Sequence, residues 1–321
     1  MSTEQLESHD VIVVGASLAG LSAALYIARQ GFDVLVIGMD LGGQATLATE
    51  VENYPGIPRI SGLSLVDKIR SQVERFGGQI TYEEVTSVEK LDSGFKVKTN
   101  MFSYHAKALV FAIGKSPRKL KVKGEEEFKG RGVSYCTVCD APFFKDKIVA
   151  IVGVGDEANE SAIYLSKLVK KAYYILPTEK VVGQSNIVSQ VKDNEKVVLL
   201  LNSEVKEIRG KDRVNSIVVY DKNKKELREL EAEAIFIEMG YELRTSFLSN
   251  LVKLNEKGEI VVDKLARTSC EGIFAAGDVT DIPYKQMIIA AGFGAIAGLS
   301  ACNYLLALKG KGIILSDWKK L

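Results

Sequence analysis

Two stretches of the chain share one hydrophobic pattern. The segment VIVVGASLAGLSAALYIARQGFDVLVI begins at Val11, and VAIVGVGDEANESAIYLSKLVKKAYYIL begins at Val149. Each opens on an apolar β-branched run, passes a tight turn of small residues, continues as a helical stretch and ends in a second apolar run. That order predicts strand, helix, strand, the βαβ unit of nucleotide-binding proteins. With Gly15 set on Gly153, Ser17 falls on Gly155, Gly20 on Ala158, Ala24 on Ala162, Tyr26 on Tyr164 and Ile37 on Ile175. The correspondence runs on downstream. TSVEKLDSGFKVKTNMFSYHAKALVFAIG and SEVKEIRGKDRVNSIVVYDKNKKELRELEAEAIFIEMG both read as strand, turn, strand, turn, strand, and close on Gly114 and Gly240. The lysine-rich Lys222–Lys225 reads as a solvated hairpin tip.

The final third begins no third copy. EIVVDKLARTSCEGIFAAGDV is strand-like, and Gln286–Leu308 reads as one long helix that completes the first copy. The pattern therefore predicts an α/β fold of two Rossmann-like FAD/NAD(P)-binding domains, the second inserted into the first. The FAD-binding domain is expected over 1–116 and 246–321. The inserted, NAD(P)H-binding-like domain is expected over 117–245. The crossings fall near Lys115–Pro117 and Glu242–Ser246.

Composition narrows the partners. Lys+Arg 42 against Asp+Glu 41 offers no broad field for nucleic acid or an acidic membrane. No apolar run is read as long enough to cross a bilayer, because Gly292, Gly294, Gly298 and Asn303 interrupt Ile288–Leu308. The polar start, with Glu4, Glu7 and Asp10, is unlike a signal peptide, and the expected location is the cytoplasm. Of four cysteines, Cys136 and Cys139 are neighbours, while Cys270 and Cys302 stand alone and are expected to be buried. The histidines are His9 and His105.

Chemistry concentrates at three places. Gly15-Ala16-Ser17-Leu18-Ala19-Gly20 follows a strand and opens a helix, whose free amides suit a diphosphate. Asp40 lies at the spacing of a ribose-binding acid, and Ser17 stands where a second glycine is usual. The same turn also occurs in units that bind nothing. In the second copy, Gly153, Gly155 and Ala158 keep the small-residue spacing, but Asp156 and Glu157 set negative charge where an anion would bind. A nicotinamide site and a nucleotide fold without its ligand both fit. The third place is CTVCD, Cys136–Asp140. Two cysteines two residues apart suit a redox dithiol, in which one thiolate attacks and the other resolves. Zinc would need further soft ligands, which the chain does not bring near, so no metal is expected. Asp140 is the nearest acid for the proton that must move; a turn or cap role fits it as well.

GMDLGGQATLATEVENYPG at 38–56, CTVCD, and GIFAAGDV at 272–279 closely resemble the low-molecular-weight thioredoxin reductases, in the family's order and over nearly the whole chain. The resemblance implies a homodimer, FAD in the outer domain and the CxxC pair in the inserted one. It places Gly15, Ser17, Gly20, Asp40, Gln44 and Asn53 around FAD, and Gly277 and Asp278 at its ribityl chain. It sets Lys285, Gln286 and Met287 at the start of the last helix, where the helix's positive end favours charge on the reduced ring. The family usually has arginine at the place of Lys285, whose planar contact lysine lacks. By the same resemblance Cys139 faces the flavin, Cys136 attacks the disulfide of thioredoxin or a similar small redox protein, and Asp140 moves protons. It also implies that the inserted domain rotates about the two crossings.

One departure stands out. The family's NADPH-using members clamp the 2′-phosphate with arginines after the second strand of the inserted unit. Here that place reads Ile175-Leu176-Pro177-Thr178-Glu179-Lys180. Glu179 would repel the phosphate but suits the free ribose of NADH, and Lys180 lacks the arginine fork. NADPH, NADH, and a donor such as ferredoxin or a reduced deazaflavin all stay open. Two other activities are also compatible: oxidation of a small dithiol metabolite, and redox sensing without turnover.

Overall fold

The computed structural model describes residues 6–48 and 50–312. Glu4, in the polar start of the chain, and Thr49, in the segment 38–56, lie outside the described residues. Two compact units result: Met1–Ser116 with Leu243–Leu321, and Pro117–Glu242. Leu243 and Thr245, assigned from sequence to the inserted unit, go with the first. Leu243 packs in its core, and Thr245 Oγ1 donates to the carbonyl of Gly258 at 2.7 Å.

In chain order the first unit begins with β1 (Glu7–Ala16), α1 (Leu18–Arg29), β2 (Val34–Leu41), α2 (Gly62–Arg75), β3 (Gln79–Tyr82), β4 (Val85–Leu91), β5 (Gly94–Thr99) and β6 (Ser103–Phe111). The chain crosses at β7 (Ser116–Pro117). The second unit holds β8 (Val133–Ser134), α3 (Thr137–Asp140), β9 (Ile148–Gly153), α4 (Asp156–Leu168), β10 (Lys171–Ile175), α5 (Ser185–Lys192), β11 (Val197–Leu200), β12 (Ser203–Gly210), β13 (Val214–Asp221), β14 (Glu226–Glu231) and β15 (Ala234–Glu238). The chain returns at β16 (Tyr241–Glu242) and adds β17 (Ile273–Ala275) and α6 (Met287–Leu308).

The first unit's sheet runs β3-β2-β1-β6-β5-β4, with β17 also on β6. The pairs β1–β2, β2–β3, β1–β6 and β6–β17 are parallel, and β4–β5 and β5–β6 antiparallel. Its central strands are apolar on both faces because both are covered. One face packs on α1, α2 and α6, burying Val11, Val13, Leu21 and Ile27; the other buries Ile12, Phe95, Leu109 and Phe111. The second unit's parallel sheet, β11-β10-β9-β15-β8, has α4 and α5 on one face. The antiparallel β12-β13-β14 adds a second core around Ile208, Val214 and Ile217.

The two copies differ in one strand. In the first, β6 pairs with β5 through Ser103–Ala106 and with β17 through Leu109–Ala275's partner Phe111. In the second, the corresponding run is broken after Glu231, so that β14 pairs with β13 and β15 with β9. The expected three strands are therefore four. Exposed residues alternate along β14, whereas Ala234–Ile237 are all buried, and the two requirements separate at Ala232–Glu233. Lys222–Lys225 forms the turn between β13 and β14.

α6 corrects another expectation. At 22 residues, with mean hydropathy 1.6, it is long and apolar enough to cross a membrane. Its glycines do not interrupt it. A Cβ at Gly294 would lie 2.1 Å from the carbonyl oxygen of Ala19, and one at Gly298 2.5 Å from that of Ala23. They let α6 lie directly on α1, burying Ala297, Ala301 and Cys302. Cys302 is buried as expected, but Cys270 is partly exposed, with its thiol toward the carbonyl of Glu271.

Candidate functional site

The first nucleotide turn is shaped by close backbone contacts. Gly15 has φ +114, and a Cβ there would sit 2.3 Å from the carbonyl oxygen of Ala112. A Cβ at Gly20 would meet the oxygen of Gly15 at 1.8 Å. Both glycines are thus needed to bring α1 down on the strand ends. Ser17 precedes the helix and donates its hydroxyl to the carbonyl of Gly42 at 2.6 Å. Where a glycine would leave room, the serine ties the turn to the loop after β2. Asp40 accepts the amide of Gly43 at 3.0 Å. Gln44 donates through its side-chain amide to the carbonyl of Lys115.

The C-terminal segment meets this turn. Gly277, at φ +77, would place a Cβ 2.9 Å from that of Ala19 in the first turn of α1. Asp278 follows it, and burial pushes its carboxyl above the usual range against the pull of Lys115 and Lys285. Asn53 donates to the side-chain oxygen of Gln286 at 3.2 Å, and Gln286 caps α6, whose first residue is Met287. Gly15, Ser17, Gly20, Asp40, Gly277 and Asp278 therefore come together around the start of α1, a cradle that suits a dinucleotide diphosphate. Lys285 is otherwise engaged. Its ammonium pairs with Glu259 at 3.1 Å and donates to the carbonyls of Asp278 (3.3 Å) and Thr280. It braces the loop before α6 and is not a free charge for a ligand.

The second unit holds the cysteines. Cys136 and Cys139 form a disulfide across α3, with both residues partly exposed. Ser134, buried at the end of β8, accepts the amide of Cys136 at 3.1 Å and donates its hydroxyl to Asp140 at 2.6 Å. Burial pushes the Asp140 carboxyl above the usual carboxylate range, and the Ser134 hydroxyl offsets only part of that. A carboxyl so placed holds and releases a proton closer to neutrality than a free aspartate does. At the other end of α3, Glu238 accepts the hydroxyl of Thr137 at 2.5 Å and its amide at 3.3 Å. Burial also raises Glu238. Sequence reasoning did not single out Ser134, Thr137 or Glu238. The signal for Glu238 was an acid ending an otherwise apolar strand, where the first copy has Ala112.

The second nucleotide turn keeps its backbone form. A Cβ at Gly153 would lie 2.1 Å from the oxygen of Glu238, Gly155 has φ +98, and Ala158 is fully buried. Its surroundings are filled by the protein's own groups. Asp156 accepts the amide of Gln184 at 2.8 Å and its side-chain amide at 3.1 Å. Asn159, itself held by the Tyr174 hydroxyl, donates to the carbonyl of Val182 at 2.9 Å. The loop after β10 is thereby fastened over the start of α4. Glu157 and Glu179 are exposed, and no arginine occurs between Arg131 and Arg209.

The family model described as pyridine nucleotide-disulphide oxidoreductase matches residues 9–306. A thioredoxin reductase of Treponema pallidum (strain Nichols) is 40% identical, over 94% of this chain and 98% of its own. One of Bacillus subtilis (strain 168) is 36% identical, over 96% and 98%. The crystal structure of thioredoxin reductase from Streptococcus pyogenes MGAS5005 superposes with a TM-score of 0.90 at 35% identity, covering 94% of this chain and all of that one.

Proposed function

The chain belongs to the pyridine nucleotide-disulphide oxidoreductases, among the thioredoxin reductases, and from that membership we propose how its residues carry the reaction. It is an FAD-dependent thioredoxin-disulfide reductase, with thioredoxin as its partner. The observation that carries the residue assignment is the Cys136–Cys139 disulfide with Asp140 held beside it by Ser134.

FAD fits the first unit's cradle. The start of α1 would face the diphosphate, Asp40 would offer a carboxylate oxygen to the adenosine ribose, and Asp278 would meet the ribityl chain. Gln44, Asn53, Gln286 and Met287 line the approach to the ring. When bound and reduced by the electron donor, the flavin would supply the electron pair that opens the disulfide. Cys139 is the sulfur that meets the flavin, and with one proton from Asp140 the opened disulfide is left as one thiol and the Cys136 thiolate. Cys136, as thiolate, then attacks the thioredoxin disulfide. Cys139 resolves the mixed disulfide, restoring the Cys136–Cys139 bond and releasing reduced thioredoxin. In a Cys139→Ser variant, rapid mixing of the reduced enzyme with thioredoxin should leave the flavin reduced. Reoxidation at the wild-type rate would remove Cys139 from this role.

The family binds FAD and NADPH. The electron donor for this chain, in our reading, lacks a 2′-phosphate. The absence of arginine from 132 to 208, the exposed Glu179 and the fastened loop over α4 support this. Among such donors, the acids Asp156 and Glu157 at Gly153-Gly155-Ala158 favour one that is not a nicotinamide, such as reduced ferredoxin or a reduced deazaflavin, over NADH. Anaerobic mixing with NADPH, NADH and reduced ferredoxin in turn separates these by bleaching of the flavin band. Rapid bleaching by micromolar NADPH would overturn the assignment. A dithiol that must return to its reduced form each cycle suits the cytoplasm, and a homodimer is the proposed assembly.

A further inference from the structure

We propose that Glu238 is a positioning residue for the redox pair, clamping Thr137 to the end of β15 and thereby setting the reactivity of Cys136. The inference rests on Cys136 and Cys139 being the working dithiol, which a redox titration of the wild-type protein tests separately.

The two copies locate the residue. With Gly114 set on Gly240, Ala112 falls on Glu238. The backbone agrees. The Ala112 oxygen lies 2.3 Å from a Cβ built on Gly15, and the Glu238 oxygen 2.1 Å from one built on Gly153. The same place in the same fold thus carries a methyl group in one unit and a carboxylate in the other. In the first unit nothing from this position reaches toward a neighbouring loop. In the second, the carboxylate takes the hydroxyl and the amide of Thr137, a residue 101 positions away and 3% exposed.

The clamp matters because α3 cannot hold its own shape. Four residues fall far short of a self-supporting helix. The disulfide fixes the segment when oxidised, but that bond is gone in the dithiol. Side-chain ties remain at both ends, from Ser134 to Asp140 and the Cys136 amide and from Glu238 to Thr137. By holding the opened segment near its closed geometry, they raise the effective concentration of one thiol at the other and favour re-formation of the disulfide. The carboxylate also acts through its charge. It is hydrogen-bonded to Thr137, the residue that follows Cys136, and disfavours a thiolate there.

Other charged and titratable groups face the same point. Glu157 on α4 repels the Glu238 carboxylate, and Ser161 on that helix donates to it. Tyr174 on β10 feels its charge, and Asp140 closes α3. Among the described residues Glu238 forms no ion pair, and its hydrogen bonds come from Thr137 and Ser161. Its charge therefore falls on the cysteine segment without a neutralising partner.

The test uses the full-length flavoprotein, reduced and alkylated with iodoacetamide across pH, with Cys136 followed by peptide mass spectrometry. Glu238→Gln keeps an acceptor for Thr137 but removes the charge. It should move the midpoint of Cys136 alkylation down by about one pH unit. Glu238→Ala removes both. It should show the same shift and also make the disulfide easier to reduce in a glutathione titration, by roughly threefold to tenfold in equilibrium constant. Thr137→Val keeps the charge and loses the hydroxyl bond, and should change the redox equilibrium in the same direction as Glu238→Ala with a smaller shift in pH. An alkylation profile of Glu238→Gln that coincides with wild type overturns the proposal, whatever the alanine variant does. So does an unchanged glutathione equilibrium in Thr137→Val.

Discussion

Replacing Asp140 by asparagine should slow the enzyme and stabilise it at the same time. The two signs come from one feature. The Asp140 carboxyl is largely withdrawn from water, receives a hydrogen bond from Ser134 at 2.6 Å, and has no cation among the groups acting on it. Burial therefore raises its pKa, and the folded protein binds the proton more tightly than the unfolded chain does. Stability is then fully present below the ordinary carboxylate range and is lost as pH rises through the folded pKa. At neutral pH the native protein carries that cost. Asparagine is neutral, has nearly the same shape and still accepts the Ser134 hydroxyl. Removing the charge should gain on the order of 1 kcal/mol at pH 7, a gain that closes as pH falls toward about 4. Catalysis moves the other way. An amide neither gives nor takes the proton that thiol–disulfide conversion requires. Loss of a positioned acid typically costs about 10²–10⁴ in rate, or about 3–5 kcal/mol of barrier. Stopped-flow reoxidation of the bound flavin by thioredoxin measures the first effect, and the apparent melting temperature from pH 4 to 8 measures the second. Rates within threefold of wild type would remove Asp140 from proton transfer. A rate loss accompanied by a lower melting temperature at pH 7 would reduce its role to structure.

Gly294→Ala would drive a methyl group into the Ala19 carbonyl, 2.1 Å away, and should cost about 1–3 kcal/mol. Because Ala19 lies in the first turn of α1, the flavin content of the purified variant should fall together with its melting temperature. Lys285→Met leaves Glu259, a carboxylate that burial would raise but Asn255 and Lys285 hold below the usual range. The loss should be on the order of 3 kcal/mol at pH 7. It should shrink as pH falls through the ordinary carboxylate range, where the ion pair contributes least, and denaturant titrations at two pH values check this.

Local features were the legible ones. The two βαβ copies could be aligned because each strand, turn and helix is signalled within a few residues by apolar runs and small residues at fixed spacing. Gly15, Gly20 and Gly153 were readable for the same reason, since backbone crowding at such turns demands them, and Gly155 because its φ of +98 favours glycine. CTVCD carried its chemistry in five consecutive letters. What could not be read depends on partners far away in the chain. Glu238 acquires its role from Thr137, 101 residues earlier. Lys285 looked like a charge offered to a ligand because Glu259, which takes it, stands 26 residues back with nothing local to link the two. Asp156 was legible as a negative charge beside the turn, but its hold on the Gln184 loop depends on how that loop returns. The glycines of α6 looked like breaks because their value lies in the neighbour they admit, and α1 is some 270 residues away.

The repeat also explains why the two units can share a fold and yet serve different chemistry. A βαβ turn needs small residues where strand ends and helix meet, and both copies supply them. Those demands fix the backbone and leave the side chains at the strand ends free to differ. Just past the end of β6 the first copy has Ala112, small, apolar and buried. At the end of β15 the second has Glu238, which reaches to α3. Near the end of β2 the first copy has Asp40, one oxygen of which accepts the amide of Gly43. After β10 the second has Pro177 and Thr178, and its loop is tied down on Asp156 and Asn159. In the second copy Asp156, Asn159 and Glu238 all bind groups of the protein itself. The nucleotide-fold geometry of the second unit thus carries the disulfide segment, held through Ser134 and Asp140 at one end and Thr137 and Glu238 at the other.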